Sequence, residues 1–201
     1  PIYGLVALGL VDPAKVKRND RAKSDDVLIL GKGLGVGILS AALKKGQLSA
    51  DGYATMVDTA TKLNKPGAEL SELEGVHALT DVTGFGLLGH LLEICRGSKC
   101  GASVDFGAVP VLPGVPDLVR QGFVTGASER NWKSYGDEID LAPGVEDWQR
   151  KVLTDPQTSG GLLVACDRAI VPQVMASLER GGMEGAVIGA ITGGAARVSV
   201  R

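Results

Sequence analysis

The sequence predicts an α+β fold in which a mixed or antiparallel sheet packs with helices. Short apolar runs typical of strands alternate irregularly with segments whose apolar residues repeat at helical spacing. The last two runs, residues 186–191 and 196–200, flank Gly193-Gly194, a pair typical of a tight hairpin turn, so we expect antiparallel pairing there. The hydrophobic share of 44% in 201 residues is enough to bury one substantial core.

The first 25 residues are predicted to lie outside the main domain. Residues 3–11 are apolar and partly β-branched, which favours a buried strand, whereas Asp12-Pro13 and the charged stretch up to residue 26 are typical of a connector. The chain also begins at Pro1 and not at methionine, directly before this apolar run. We therefore expect residues 1–25 to be the tail of a preceding domain plus a linker, and residues 26–201 to form one domain.

The first half of this domain is predicted to hold two strands and four helices. The strands cover residues 27–30 and 76–80, and the helices cover 37–43, 50–63, 66–73 and about 83–96. Gly46 ends the first helix and Ser49 can cap the second. We expect the apolar face of the second helix to be core: Tyr53, Met56, Val57, Ala60 and Leu63. The fourth helix is expected to pack through Phe85, Leu88, Leu92 and Cys95.

The second half is predicted from the same signals. It holds strands over 103–106 and 161–166, helices near 117–121 and 148–152, and then the two final strands. Residues 122–144 are polar and show little periodicity, so we expect a long loop there. Pro172 should lie in the first turn of the last helix, because a proline in a helix interior removes a hydrogen bond.

Composition argues against several classes of protein. The 21 basic and 23 acidic residues give a net charge of −2, which leaves no electrostatic footprint for nucleic acid. No apolar run approaches the roughly 20 residues that a membrane helix needs, and no signal peptide is visible, so we expect a cytoplasmic protein without membrane contact. Three cysteines without C-x-x-C spacing fit reduced, buried thiols, and two histidines are too few for a typical zinc site.

Asp81 is the carboxylate for which the sequence most clearly predicts a functional role. It follows a predicted strand and precedes the glycine-containing start of a helix at Thr83-Gly84. A carboxylate there can bind Mg²⁺, which prefers oxygen ligands and bridges to phosphates, and the helix start favours anions. Thr83 and Gly84 are therefore candidate nucleotide contacts. The alternative is an aspartate that merely caps the helix.

Three other polar clusters are weaker candidates. Asp155, Thr158 and Ser159 lie in a polar turn that could border an active site or simply lead into a strand. Arg130 and Asn131 could bind phosphate or lie on an ordinary surface loop. The glycine-rich residues 31–37 match no phosphate-loop pattern, so tight packing between strand and helix is favoured. His77 and His90 are interpreted as structural.

Several of these segments together resemble selenophosphate synthetase. They lie in the same order and cover nearly the whole chain: Gly4–Pro13, Leu79–His90, Leu112–Val115, Glu129–Asn131 with Ser134–Gly136, and Asp155–Leu163. This family belongs to the superfamily of aminoimidazole ribonucleotide synthetase-like enzymes, and the resemblance is to its carboxyl-terminal domain. One departure is Lys32-Gly33-Leu34-Gly35, where the family usually has Lys-Pro-Leu-Gly.

The resemblance implies an activity, and it implies that most of the active-site residues lie in a domain that precedes this chain. Selenide, ATP and water would give selenophosphate, orthophosphate and AMP with Mg²⁺, in a homodimer. The ATP-binding domain, the reactive Cys or selenocysteine and its partner Lys would precede this chain, so no catalytic residue is expected here. Asp81 is the carboxylate that matches a Mg²⁺ ligand of the family by motif.

Two alternatives stay open at this point. One is a sister ATP-dependent synthetase or kinase of the same superfamily, although the run Asp155–Gly161 favours the selenium branch. The other is an isolated domain that folds without catalysis of its own.

Overall fold

The structure is a computed structural model that describes residue 6 and residues 8–201. The strands are β1 Val27–Leu30, β2 Val76–Asp81, β3 Gly101–Val104, β4 Ile139–Leu141, β5 Leu162–Cys166, β6 Ala186–Thr192 and β7 Val198–Val200. The helices are α1 Val36–Lys44, α2 Ala50–Thr61, α3 Pro66–Ser71, α4 Gly86–Ser98, α5 Val115–Arg120, α6 Gly126–Tyr135, α7 Asp147–Leu153 and α8 Val171–Arg180. No helix among the described residues is both long and apolar enough to span a bilayer.

The strands of the described residues form one mixed sheet of seven, in the order β2-β5-β1-β6-β3-β7-β4. The first five strands in this order pair antiparallel, and β7 pairs parallel with both β3 and β4. The predicted mixed sheet and α+β class are therefore confirmed.

Helices cover both faces of the sheet and give two hydrophobic cores. Leu28 and Leu30 of β1 point into the larger core with α1, α4, α5 and α7, whereas Val27 and Ile29 point into the smaller core with α3 and α8. Successive side chains of a strand alternate between faces, so a strand with two buried faces is apolar throughout. This explains why the central strands are continuous apolar runs in the sequence.

The predicted hairpin of the last two strands is wrong, because β3 lies between β6 and β7. The connection must therefore cross two strand spacings, about 10 Å, which a two-residue turn cannot do. It wraps around the start of β3, where a Cβ on Gly101 would lie 2.8 Å from Thr192 Oγ1 and 3.0 Å from the Ala195 carbonyl. The glycine pair marks a turn, but the turn joins strands that are not neighbours.

The predicted core face of α2 is wrong for Tyr53, Val57 and Leu63, whereas Met56 is partly buried against the larger core. Tyr53 is 51% exposed, Val57 is 38% exposed, and Leu63 lies beyond the helix at 63% exposure. Thr59 is the buried residue of α2. Helical spacing shows that residues share a face, but it cannot show whether another element covers that face.

The predicted loop over residues 122–144 contains α6 and β4 instead. Thr125 caps α6 by accepting a hydrogen bond from the Ser128 backbone N–H at 3.2 Å. The buried positions of α6 are Ser128, Asn131 and Tyr135, and each of these side chains forms a hydrogen bond. Because two of these three residues are not apolar, the helix shows no apolar stripe in the sequence.

The predicted strand over residues 3–11 is not formed where the structure describes it. Residues 6 and 8–11 lie in no strand, and their side chains are exposed because no described strand pairs with them. The other residues of that prediction lie outside the described part of the chain. The connector that follows attaches to the domain through Lys15 Nζ to Glu72 at 2.6 Å and the Ala22 backbone N–H to Ser98 Oγ at 2.9 Å. The domain boundary after residue 25 stays a prediction.

Phe85 does not pack as predicted, and α4 is buried more completely than its pattern indicates. Phe85 precedes the helix and is 51% exposed. Gly86 and His90 are buried together with Leu88 and Leu92. The first half of α4 therefore lies inside the larger core and fixes the position of the segment before it.

Candidate functional site

Asp81 is the last residue of β2 and is exposed to solvent. Its backbone pairs with Leu162 of β5, which fixes where the side chain starts. Within residues 8–201, no hydrogen bond or ion pair is made by its carboxylate. It does not cap α4 either, because that helix begins at Gly86 with Phe85 at the capping position. The carboxylate is therefore available to a ligand, and the capping alternative is excluded.

The segment after Asp81 is held by three residues from two distant parts of the chain, helix α6 and the loop before β5. Its three consecutive carbonyl oxygens each accept a hydrogen bond from a different partner. The bonds are Gln157 backbone N–H to Thr83 at 2.9 Å, Asn131 Nδ2 to Gly84 at 2.9 Å, and Tyr135 Oη to Phe85 at 2.6 Å. Residues 83–85 are thereby fixed as a rigid loop beside the carboxylate.

Two of these partners, Tyr135 and Gln157, were missed as site residues from the sequence. Both lie inside segments that carry the family resemblance, Ser134–Gly136 and Asp155–Leu163. Segments that carry the same family resemblance are expected to lie close together in the fold. That expectation could have identified both residues. The structure brings them together at residues 83–85.

Asn131 and Arg130 are neighbours in α6 with different surroundings. Asn131 is 7% exposed, and its Nδ2 donates to the carbonyls of Gly84 and Thr154 at 2.9 and 3.1 Å. Arg130 is exposed, and within the described residues it forms no ion pair. The amide of Asn131 is committed to the fold, whereas the guanidinium of Arg130 is free to bind an anion.

Asp155 and Gln157 occupy the start of α1. Asp155 Oδ2 accepts hydrogen bonds from the backbone N–H groups of Gly37 at 2.9 Å and Ile38 at 3.3 Å. Gln157 Oε1 accepts from Gly35 at 3.1 Å and Val36 at 3.2 Å. Because the first N–H groups of a helix are the ones that bind phosphate, this helix start is already filled by the protein itself. The glycine-rich turn thus serves packing, as the sequence favoured.

The carboxyl group of Asp155 is buried completely. Burial raises the pKa of Asp155 to about 7, although hydrogen bonds from Gln157 and from the start of α1 oppose this shift. Its Oδ1 atom is buried and has no hydrogen-bond partner among residues 8–201. This carboxyl therefore changes its charge near neutral pH, inside the fold and not at the surface.

The remaining candidates differ in their surroundings. Thr158 is exposed, and Ser159 is half-buried with a left-handed backbone at φ 51°. Thr83 Oγ1 lies 3.1 Å from His90 Nε2, and His77 Nδ1 lies 2.7 Å from Asp26 Oδ1. Both histidines are thus engaged within the fold, in agreement with a structural role.

The cysteines and acidic residues give no complete metal site. Cys95, Cys100 and Cys166 are free and buried, and burial raises the pKa of Cys95 and of Cys166 to about 12. In the part of the chain that the structure describes, no group of three or more His, Cys, Asp or Glu could hold a metal ion. A metal at Asp81 would need ligands from outside these residues.

Comparison with known proteins gives close relatives over the whole chain. The chain is 59% identical over 201 residues to a selenide, water dikinase of Pseudomonas straminea, and covers 56% of that protein. It is 55% identical to a selenide, water dikinase of Dechloromonas aromatica, of which it covers 58%. The chain thus spans little more than half the length of the curated relatives it matches.

Solved structures share the fold at low sequence identity. Thiamine-monophosphate kinase from Stenotrophomonas maltophilia K279a has a TM-score of 0.67 and 20% identity, over 94% of this chain and 54% of that one. The hydrogenase maturation protein HypE in complex with ATP has a TM-score of 0.62 and 21% identity, over 95% of this chain and 51% of that one. Residues 23–201 match the family described as AIR synthase related protein, C-terminal domain, and the chain belongs to this family.

Proposed function

We propose that this chain is the carboxyl-terminal part of a selenide, water dikinase and supplies one magnesium ligand, Asp81, to its reaction. In that reaction selenide, ATP and water give selenophosphate, orthophosphate and AMP. The observation that carries the proposal is an exposed carboxylate that has no partner among the described residues and lies beside a rigidly held loop, in a chain 59% identical to such enzymes.

The donor set fits magnesium bound together with a nucleotide. Mg²⁺ is usually held by one or two carboxylates plus phosphate oxygens and water, so a single carboxylate from this chain is sufficient. When bound, the metal neutralises charge on the transferring phosphate. Asp81 contributes a ligand whose backbone is fixed by its pairing with Leu162 of β5.

The other predicted nucleotide contacts divide by exposure. Gly84, Arg130 and Thr158 are exposed and are proposed to face the phosphates, while Thr83 and Ser159 are half-buried beside them. The buried Asn131 and Asp155 are proposed to support this arrangement from inside, without touching the nucleotide.

The rest of the activity is assigned to a part of the protein outside this chain. An ATP-binding domain, a reactive Cys or selenocysteine and a lysine are proposed to lie there, together with further magnesium ligands. Residues 1–25 are proposed to link that domain to residues 26–201, and the complete protein to be a cytoplasmic homodimer.

A hybrid protein tests the proposal directly. The 201 matching residues of the Pseudomonas straminea enzyme are replaced by this chain, and AMP formation is measured with and without selenide. We expect selenide-dependent AMP formation that Asp81→Ala nearly abolishes. Asp117→Asn, at a side chain 82% exposed, is the matched control and should leave the rate unchanged.

The results separate the candidate functions. ATP consumption without any response to selenide would instead favour a sister ATP-dependent enzyme. A folded hybrid without ATP consumption would contradict the proposal, and full activity of the Asp81→Ala hybrid would remove Asp81 from the site.

A further inference from the structure

Lys32 places a buried ammonium group between two segments that border the site. The residue follows β1, is 5% exposed, and is surrounded by backbone carbonyls. Its Nζ donates to the carbonyl of Lys62 at 2.6 Å and to that of Ser159 at 2.6 Å, and it lies 3.5 Å from the carbonyl of Thr59. The carbonyls at the end of α2 carry partial negative charge, which favours a cation there. The ammonium thus ties the end of α2 to the loop before β5.

The loop that Lys32 holds has an unfavourable backbone. Ser159 adopts φ 51°, a left-handed conformation that side chains other than glycine rarely take. Such a conformation persists where surrounding contacts fix it. The hydrogen bond from the ammonium to the Ser159 carbonyl is a contact of this kind.

The same loop is pressed between Lys32 and the residue after Asp81. A Cβ on Gly161 would lie 2.3 Å from the Lys32 backbone nitrogen, and a Cβ on Gly160 would lie 2.0 Å from the Val82 carbonyl. The Val82 N–H also donates to the Gly161 carbonyl at 2.9 Å. A shift of the loop therefore moves Val82, and with it the backbone that carries Asp81.

An electrostatic interaction also connects the Lys32 ammonium with the Asp81 carboxylate. Burial lowers the pKa of Lys32, and the neighbouring Lys62 lowers it further, whereas the Asp81 carboxylate acts in the opposite direction. The ammonium contacts neutral carbonyls within the described residues, so no carboxylate at bonding distance cancels its charge.

We propose that Lys32 is the positioning residue of the Asp81 site, because its ammonium holds the Ser159 carbonyl and so fixes residues 159–161 against the backbone of Asp81. The inference rests on the proposed function and adds a residue that does not itself touch metal or nucleotide. Removal of groups that orient a metal ligand typically weakens metal binding about 10- to 100-fold.

The test compares Lys32→Met and Lys32→Arg with the wild-type hybrid protein described above. Lys44→Met is the matched control, since this lysine is exposed at the end of α1 and forms no ion pair within the described residues. Three quantities are measured: the Mg²⁺ concentration for half-maximal AMP formation, Mn²⁺ binding by electron paramagnetic resonance, and amide hydrogen exchange at Val82.

In Lys32→Met we expect the Mg²⁺ requirement and the Mn²⁺ dissociation constant to rise about tenfold or more. The Val82 amide should exchange faster, because residues 159–161, which carry its acceptor carbonyl at Gly161, are no longer held by the ammonium. Lys32→Arg keeps the charge and the donors and should recover part of each value. Lys44→Met should match the wild type in all three quantities.

A folded Lys32→Met hybrid with unchanged metal binding and unchanged Val82 exchange would overturn the inference. Should that variant fail to fold, Lys32→Gln, which retains an uncharged donor, is measured by the same criteria. If the wild-type hybrid forms no AMP in response to selenide, the proposed function fails. Mn²⁺ binding and Val82 exchange then decide the role of Lys32 without any activity measurement.

Discussion

The buried carboxyl of Asp155 predicts a specific dependence of stability on pH. Its folded-state pKa of about 7 lies above the ordinary value of 3.8, so the folded protein binds this proton more tightly than the unfolded chain does. Stability from this group is therefore fully present below about pH 4 and declines as the pH rises towards 7. At about 1.4 kcal/mol per tenfold difference in proton affinity, the decline amounts to roughly 4 kcal/mol.

Asp155→Asn isolates this contribution, because asparagine has nearly the same shape and does not ionise in this range. Urea unfolding of both proteins is measured at several pH values from 4 to 8, and the difference between their free energies of unfolding is plotted against pH. Carboxylates with lowered pKa values, such as Asp140 beside Arg197, cancel in this difference because both proteins contain them.

The wild type should lose stability relative to Asp155→Asn between about pH 4 and pH 7, and the difference should then level off. Asp117→Asn, at an exposed side chain, should run parallel to the wild type over the whole range. A difference that stays constant from pH 4 to pH 8 would refute the reasoning, since it would mean that Asp155 titrates alike in the folded and unfolded states.

Two further predictions concern the supports of the site. Asn131→Ala removes the donor to two carbonyl oxygens and should lower the free energy of unfolding by about 2–3 kcal/mol in urea, whereas exposed Asn19→Ala should change it little. Gly37→Ala would place a Cβ 2.4 Å from Asp155 Oδ1, so the free energy of unfolding, measured by thermal unfolding, should fall by about 1–3 kcal/mol or more. Gly193→Ala is the control, because the nearest described atom to its added Cβ would be 3.8 Å away. If a variant and its control had the same free energy of unfolding, the contact assigned to the substituted residue would not contribute to stability, and the prediction would be wrong.

Much of the fold could be predicted because local signals decide it. The β1 strand at residues 27–30, the Ser49 cap, and Pro172 in the first turn of α8 are all as expected. Helix α6 was missed, since its buried positions include Ser128 and Asn131. A polar residue in a core position depends on hydrogen bonds to distant segments, and no local pattern reveals those bonds.

The candidate site was predicted only in part for a similar reason. The position of Asp81 at the end of a strand follows from the apolar run before it, and the structure places it there. Both Asp81 and Asp155 follow an apolar segment, so the sequence could not distinguish them. In the described part of the chain the Asp81 carboxylate has no partner, whereas the Asp155 carboxyl is buried. Burial is a property of the assembled layers and not of the neighbouring residues.

The sequence by itself determined the family resemblance, the α+β class and the location of Asp81, because these depend on residue order and on periodicity along the chain. Only the tertiary structure decided the strand order, with β3 inserted between β6 and β7, and the contacts that Lys32, Asn131 and Gln157 make with the site. These contacts join residues dozens of positions apart. They exist because the sheet and its two helical layers bring the segments together, and their energies depend on burial that arises only after folding.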